Sequence, residues 1–228
     1  MLPFLTALAV LAGATPDTLI VPIPEVVVTG SRVAEPLSRT PAAITVVPGS
    51  AFESTRSISL SDALRGVPGV FVQSRSGAQD VRITIRGYGA RGNGERSNAG
   101  NMRGIRVLSD GIPITEPDGR TSLDLADLAG IDRIEVLRSN VSSLYGNASG
   151  GVVNLRTNLD FERPYLAYGQ RGGEFGFHRE QGATGFAIGA ARGLATISNS
   201  SFEGWRDHSS STRSRVRGSI GTLSLTRA

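Results

Sequence analysis

Lysine and cysteine are absent from this 228-residue chain, and histidine occurs only as His178 and His208. Without cysteine there is no disulfide, thiolate metal site or cysteine nucleophile. Without lysine there is no Schiff-base residue and no phosphate-binding loop of the G-x-x-x-x-G-K-[ST] type. The 24 basic residues are all arginines, set against 20 acidic ones for a net charge of +4. Because these charges form no basic stripe, we expect no nucleic-acid partner.

The chain has one extended apolar run, from Leu2 to Ala12, which is followed by Gly13-Ala14. A membrane-spanning helix needs about 20 apolar residues, so this run is too short to be one. The small residues after the run predict a signal peptide over residues 1–14, although no positive charge precedes it. The alternative is a buried N-terminal helix, and the pattern favours export.

Between Pro36 and Thr157 the hydrophobic pattern predicts a compact α+β domain. An Asp110-Gly111 pair between two apolar runs is typical of a β-hairpin turn. Asp124 and Asp127 share one face of a predicted helix, and we interpret that face as solvated. The predicted strands are 43–47, 70–72, 81–86, 105–108, 112–114 and 131–137, and the predicted helices are 59–65 and 123–128.

Beyond Phe161 the character of the sequence changes. Residues 186–191 and 216–225 alternate apolar with small or polar side chains, and glycine-rich or polar segments separate such runs. This alternation is typical of transmembrane β-strands, and a soluble β-meander has the same pattern. Both interpretations stay open from this signal alone.

The stretch from Arg133 to Thr157 raises the question of an active-site loop. It predicts a strand, a polar turn, a glycine-rich loop over 146–151 and a second strand. The glycines serve either to cradle a phosphate or to let two backbones approach closely. The loop is one residue out of register with the G-x-S-x-G motif, so a hydrolase using Ser149 is disfavoured. We predict no catalytic site, no metal site and no cofactor.

Six segments decide the interpretation by their order along the chain. They are PEVVVTGSR (24–32), LSDALRGVPGV (60–70), ITIRGYG (83–89), RGIRVLSDGIPI (103–114), IDRIEVLRS (131–139) and LYGNASGGVVNLRT (144–157). In this order they resemble the plug domain of TonB-dependent outer-membrane receptors. One departure is that Arg138 is followed by Ser139-Asn140, where the family usually has Gly-Pro.

The resemblance implies a fold and a domain order. The fold is an α+β plug, a small mixed sheet with short helices and long loops, followed by a few antiparallel strands of an incomplete transmembrane β-barrel. The implied domains are the signal peptide at 1–14, a periplasmic linker with the TonB box at 15–35, the plug at 36–160 and the barrel start at 161–228. Since a barrel of about 22 strands needs several hundred residues, we expect the chain to be a fragment.

The resemblance also implies a function, which is active uptake of a ferric chelate, a siderophore or a similar scarce nutrient. The receptor would lie in the outer membrane, with its plug and N-terminus facing the periplasm. TonB and its inner-membrane energising complex would be the partner, and the protein would not be an enzyme. We expect no signalling role, because the linker before the TonB box is short. The alternative is a non-transporting periplasmic plug-like module or a non-functional gene remnant.

The TonB-binding residues implied by the resemblance are Glu25, Val26, Val27, Val28 and Thr29. A short β-prone segment after a proline-rich linker suits pairing with a strand of another protein. The alternative for this segment is an ordinary strand of the plug.

Two sets of arginines receive different roles. Fixed guanidinium groups suit the carboxylates or hydroxamates of an iron chelate. The loop 87–104 is therefore our candidate ligand surface, and the alternative is a disordered or wall-packing loop. The resemblance assigns Arg86 and Arg138 to an "arginine lock" that pairs with acidic residues of the barrel wall. The candidate ligand residues are Arg91, Asn93, Arg96, Asn98, Asn101 and Arg103.

Overall fold

The computed structural model describes most of the chain after residue 26. The described residues are 27–28, 35–53, 59–76, 79–89, 102–116, 121, 123, 126–157 and 159–222. Among them, no helix is both long and apolar enough to cross a bilayer.

The elements up to the centre of the chain are short. In chain order they are β1 (Val27–Val28), β2 (Glu35–Pro36), a 3-10 turn (Leu37–Arg39), β3 (Ile44–Pro48), α1 (Gly49–Glu53), α2 (Leu60–Leu64), β4 (Val70–Ser76), β5 (Gln79–Ile85), β6 (Tyr88–Gly89), β7 (Ile105–Ser109) and β8 (Ile112–Pro113). The later elements are β9 (Ile131–Leu137), α3 (Ser142–Tyr145), β10 (Gly151–Thr157), β11 (Tyr165–Gly173), β12 (Phe177–Ile188), β13 (Ala191–Phe202) and β14 (Ser211–Thr222).

A five-stranded mixed sheet forms the frame of the plug, in the order β3-β9-β10-β7-β8. β10 pairs antiparallel with β9 and parallel with β7, so it lies at the centre of the sheet. Its first five residues are all buried, as expected of a strand covered on both faces. β4, β5 and β6 form a separate three-stranded antiparallel sheet.

The plug core lies between these two sheets and the short helices. Ile83 and Ile85 of β5, Leu60 and Leu64 of α2, and Ile134 of β9 have no exposed surface. They belong to one contiguous apolar cluster. Burying a side chain of this size stabilises the fold by about 1.5–3 kcal/mol.

Local sequence signals account for α2 and its neighbours. The sequence predicts Ser59 or Ser61 as the N-cap of α2. The Ser59 side chain accepts a hydrogen bond from the Ser61 amide at 3.3 Å, so Ser59 is the cap. The Asp110-Gly111 turn joins β7 to β8, with φ angles of 51° and 85°. Both predictions are confirmed, whereas α1 and α3 were not expected from the sequence.

The last four strands form a four-stranded antiparallel sheet in sequence order, which we call the wall. Along β14, half-buried and exposed residues alternate without interruption. Val216 and Ile220 are 81% and 77% exposed on the outer face, while Arg217 points to the plug. Leu166 and Tyr168 of β11 share that outer face and are 85% and 70% exposed. The wall therefore carries an apolar outer face and a polar inner face.

Three sequence expectations were wrong in detail. Residues 186–191 are not one strand, because a turn at Gly189-Ala190 separates β12 from β13. Residues 126–128 are not helical, although the Ala126 amide donates to the Leu123 carbonyl at 3.1 Å. Asp127 is not solvated either, since only 6% of it is exposed. Asp124 lies outside the described residues.

Candidate functional site

The candidate ligand loop begins and ends at neighbouring points of the plug. The Gly89 amide donates a hydrogen bond to the Arg103 carbonyl at 2.8 Å, so the two ends of the loop are tied together. Arg103 is exposed there. The other candidate ligand residues, Arg91, Asn93, Arg96, Asn98 and Asn101, lie outside the described residues.

The glycine-rich stretch 146–151 forms the base of this loop. The Gly150 amide donates to the Gly104 carbonyl at 2.7 Å, and the Asn147 side chain accepts from the Gly104 amide at 2.9 Å. A Cβ atom at Gly150 would lie 2.5 Å from Cβ of Tyr88, and one at Gly104 would lie 2.6 Å from the Tyr88 ring. The glycines therefore allow close packing at the loop base, which answers the question left open by the sequence.

The predicted TonB-binding segment is described only at Val27 and Val28. They pair antiparallel with Pro36 and Glu35, and Val28 has no exposed surface. Glu25, Val26 and Thr29 lie outside the described residues. The two valines therefore have a β-bridge partner within the chain, which a strand added from another protein would have to displace.

Arg86 and Arg138 of the predicted arginine lock lie beside each other. Nη1 of Arg86 is 3.5 Å from the Arg138 carbonyl oxygen, and Arg86 adopts a left-handed conformation with φ 52°. Nε of Arg138 is buried and has no hydrogen-bond partner among the described residues. Both lie at the end of the plug sheet where β9 ends, and their predicted role stays a prediction.

Acidic residues of the plug contact the wall at the opposite end of the sheet. Asp127 precedes β9, and its Oδ2 accepts a hydrogen bond from the Ser198 hydroxyl of β13 at 2.8 Å. Nη2 of Arg179 on β12 lies 3.6 Å from Oδ1 of Asp127. Asp110, in the turn after β7, is 3.2 Å from Nη2 of Arg217 on β14. Sequence reasoning missed these contacts.

The plug also approaches the wall closely at Gly130, just before β9. A Cβ atom there would lie 2.7 Å from Cδ2 of Leu194 and 2.8 Å from Cγ2 of Thr196, and φ is 74°. Gly111 has a similar φ of 85°, but a Cβ atom at Gly111 would have no atom of the described residues within 4 Å. Comparing alanine substitutions at Gly130 and Gly111 therefore separates the effect of backbone strain, which both share, from the effect of contact with the wall.

We expect Gly130→Ala to destabilise the protein by about 1–3 kcal/mol more than Gly111→Ala, because only the first methyl group overlaps wall side chains. Both substitutions share the cost of about 1–2 kcal/mol for a left-handed alanine. Denaturant unfolding of the two variants measures the difference. Equal losses of stability would show that the plug and the wall are not in contact at Gly130.

A model of one protein family matches the region just described. The TonB-dependent receptor plug domain matches residues 36–152, which is more than half of the chain. The chain belongs to the TonB-dependent receptors. The match contains four strands of the plug sheet and the start of β10, which ends just beyond it.

Curated relatives and solved structures agree with this family. The chain is 36% identical over 140 residues to the iron-regulated outer membrane virulence protein of Vibrio cholerae, covering 59% of this chain and 20% of that protein. It is 32% identical over 134 residues to the vitamin B12 transporter BtuB of Vibrio vulnificus, covering 58% and 20%. The pyoverdine outer membrane receptor FpvA of Pseudomonas aeruginosa superposes with a TM-score of 0.70 at 21% identity, covering 86% and 27%. The chain thus spans about a fifth of the length of the two curated relatives.

Proposed function

We propose that this chain is the plug and the first wall strands of an outer-membrane receptor that takes up a ferric chelate with energy supplied through TonB. The plug would gate the passage, and the N-terminus would face the periplasm. In the alternative, a periplasmic plug-like module would bind a ligand without transporting it. The domain limits proposed from the sequence, 1–14, 15–35, 36–160 and 161–228, belong to this proposal.

One observation carries the proposal: a folded plug contacts the inner face of a sheet whose outer face is apolar. Arg179, Ser198 and Arg217 of the wall all point to plug carboxylates. Ile188 and Val216 point the other way and are 73% and 81% exposed. An exposed apolar face of this kind suits a lipid environment, where alternate strand residues face lipid and lumen.

The substrate class rests on the charge of the candidate ligand loop. Arg91, Arg96 and Arg103 would offer planar guanidinium groups to the oxygen atoms of an anionic iron chelate. The relative of higher identity named above is iron-regulated, whereas the other transports vitamin B12. Three arginines in one loop favour the anionic ligand.

We expect Arg103→Ala to weaken ferric-chelate binding by about tenfold, which corresponds to the loss of one charge-assisted hydrogen bond. Arg65→Ala is the matched control, because its side chain is 75% exposed on the plug and pairs with Asp62 at 3.6 Å. Titration of both variants with the chelate measures the change. Equal affinities would remove Arg103 from the ligand site.

The substrate class itself is tested by binding of ferric siderophores and of vitamin B12 to outer membranes that contain the protein. Catecholate, hydroxamate and carboxylate chelates of iron serve as separate probes. We expect saturable binding of an anionic ferric chelate and none of vitamin B12. Saturable binding of vitamin B12 alone would contradict the proposed substrate class.

A further inference from the structure

We propose that Asp127 and Asp110 are positioning residues that seat the plug on the wall, Asp127 against Arg179 and Ser198 and Asp110 against Arg217. We call these five residues the plug seat. The inference rests on the proposed function, in which the plug must hold one position until it is moved. In the plug seat the carboxylates belong to the plug and the arginines to the wall. In the predicted arginine lock the arginines belong to the plug and the carboxylates to the wall.

Asp127 is held on both sides of its carboxylate. Oδ1 accepts a hydrogen bond from the Ala129 amide at 3.1 Å, which orients the side chain from within the plug. Oδ2 accepts from Ser198, and Arg179 approaches Oδ1. The side chains of Asp127 and Arg179 are only 5% and 6% exposed, so both charges of this ion pair are largely removed from water.

The wall supplies an electrostatic reason for this carboxylate. Arg171 of β11 lies directly opposite Arg179 of β12 in the strand register. Like charges directly opposite each other destabilise a strand pair. Asp127 places a negative charge beside Arg179, so docking of the plug offsets a repulsion that belongs to the wall.

Asp110 forms the second point of the seat. Its carboxylate accepts hydrogen bonds from the Thr157 amide at 2.7 Å and the Thr157 hydroxyl at 2.6 Å. Nη2 of Arg217 lies 3.2 Å from Oδ2 and 2.9 Å from the Ser109 hydroxyl. Thr157 is the last residue of β10, after which the chain passes to the wall. Asp110 therefore fixes the segment in which the chain leaves the plug for the wall.

The two points lie close together on one end of the plug. Thr196 pairs with Arg217 and Ser198 with Arg215, so Ser198 and Arg217 lie two rungs apart on the same face of β13 and β14. A cavity of about 520 Å³ lies beside them and is lined by Asp127, Ser109 and Arg217. The cavity lies between plug and wall, so the charged contacts join the two where their packing has a gap, in addition to the close approach at Gly130.

Distances between two spin labels, one on the plug and one on the wall, test the plug seat in the full chain. The sequence has no native cysteine, so labels attach only at Leu144→Cys on the plug and Ile197→Cys on the wall. Both native side chains are exposed, at 40% and 59%. We expect one narrow distance in the parent protein and a broad distribution after Asp127→Asn or Asp110→Asn.

Asp132→Asn is the matched control, because that carboxylate pairs with Arg133 within the plug at 2.9 Å. It should leave the distance narrow. Arg179→Gln should broaden the distribution as Asp127→Asn does, and the double variant should add little to either, as expected of a direct pair. Broadening by Asp132→Asn to the same extent, or full additivity, would overturn the proposal.

Hydrogen exchange of β9 and β10 distinguishes a loss of contact between plug and wall from a loss of folding within the plug. If the aspartates act only within the plug, for example through Ala129, their loss should also remove protection from these strands. We expect protection to persist while the distance broadens. Loss of protection in proportion to the broadening, or an unchanged narrow distance, would contradict the proposal. Neither measurement depends on uptake. If the protein transports nothing, the proposed function is refuted, and the two measurements still test the plug seat.

Discussion

Val27→Pro is expected to abolish binding of the periplasmic domain of TonB. Proline has no amide hydrogen, so it removes a donor that an added strand requires. The same change breaks pairing with Pro36 and Glu35 only locally, because β1 and β2 contain two residues each. Capture of the parent protein and the variant by immobilised TonB domain measures the loss.

Val21→Pro is the matched control for this prediction. It introduces the same residue into the proline-rich linker, six positions before Val27. We expect the control to bind TonB as the parent protein does. If both variants bind equally to the parent protein, the segment from Glu25 to Thr29 is not the TonB-binding site and the alternative of an ordinary plug strand is preferred.

Gly151→Ala is expected to destabilise the plug strongly, by at least about 3 kcal/mol. Gly151 begins the central strand with φ 150°, and a Cβ atom there would overlap the carbonyl oxygen of Leu137. That carbonyl cannot move away easily, because Leu137 pairs with Val152 on one side and Ile44 on the other. The backbone strain of an alanine at this φ and the overlap of its Cβ with the Leu137 carbonyl therefore both destabilise the Gly151→Ala variant.

Gly66→Ala provides the control for Gly151→Ala, since no atom of the described residues lies within 4 Å of the position that a Cβ at Gly66 would take. We expect its effect to stay within about 0.5 kcal/mol, as for surface substitutions in general. Native-state hydrogen exchange of β9 and β10 measures both variants under identical conditions. A Gly151→Ala variant as well protected as Gly66→Ala would mean that β10 is not clamped between its two neighbours.

Local signals in the sequence were sufficient for much of the plug. Alternating apolar residues over 131–137, the Asp110-Gly111 turn and the cap at Ser59 each depend on near neighbours, and the structure confirms them. The order of six motifs then identified the family, which the match over residues 36–152 establishes. The four wall strands also agree with the fold class expected.

The plug seat could not be predicted in the same way. Asp127 shares a face of the predicted helix with Asp124, so its interpretation as solvated was reasonable without knowledge of its partners. Those partners, Arg179 and Ser198, come from two wall strands that follow the plug in the sequence. Buried polar contacts between distant segments leave no periodic pattern, because their spacing is set by the tertiary fold.

The most direct test of the central claim is uptake by cells whose only receptor for a ferric chelate contains this chain. Accumulation of the iron-labelled chelate is compared with TonB present and with TonB deleted. We predict accumulation with TonB and only surface binding without it. Accumulation that is the same in both strains would contradict a TonB-driven plug, and binding without accumulation in either strain would favour a module that does not transport.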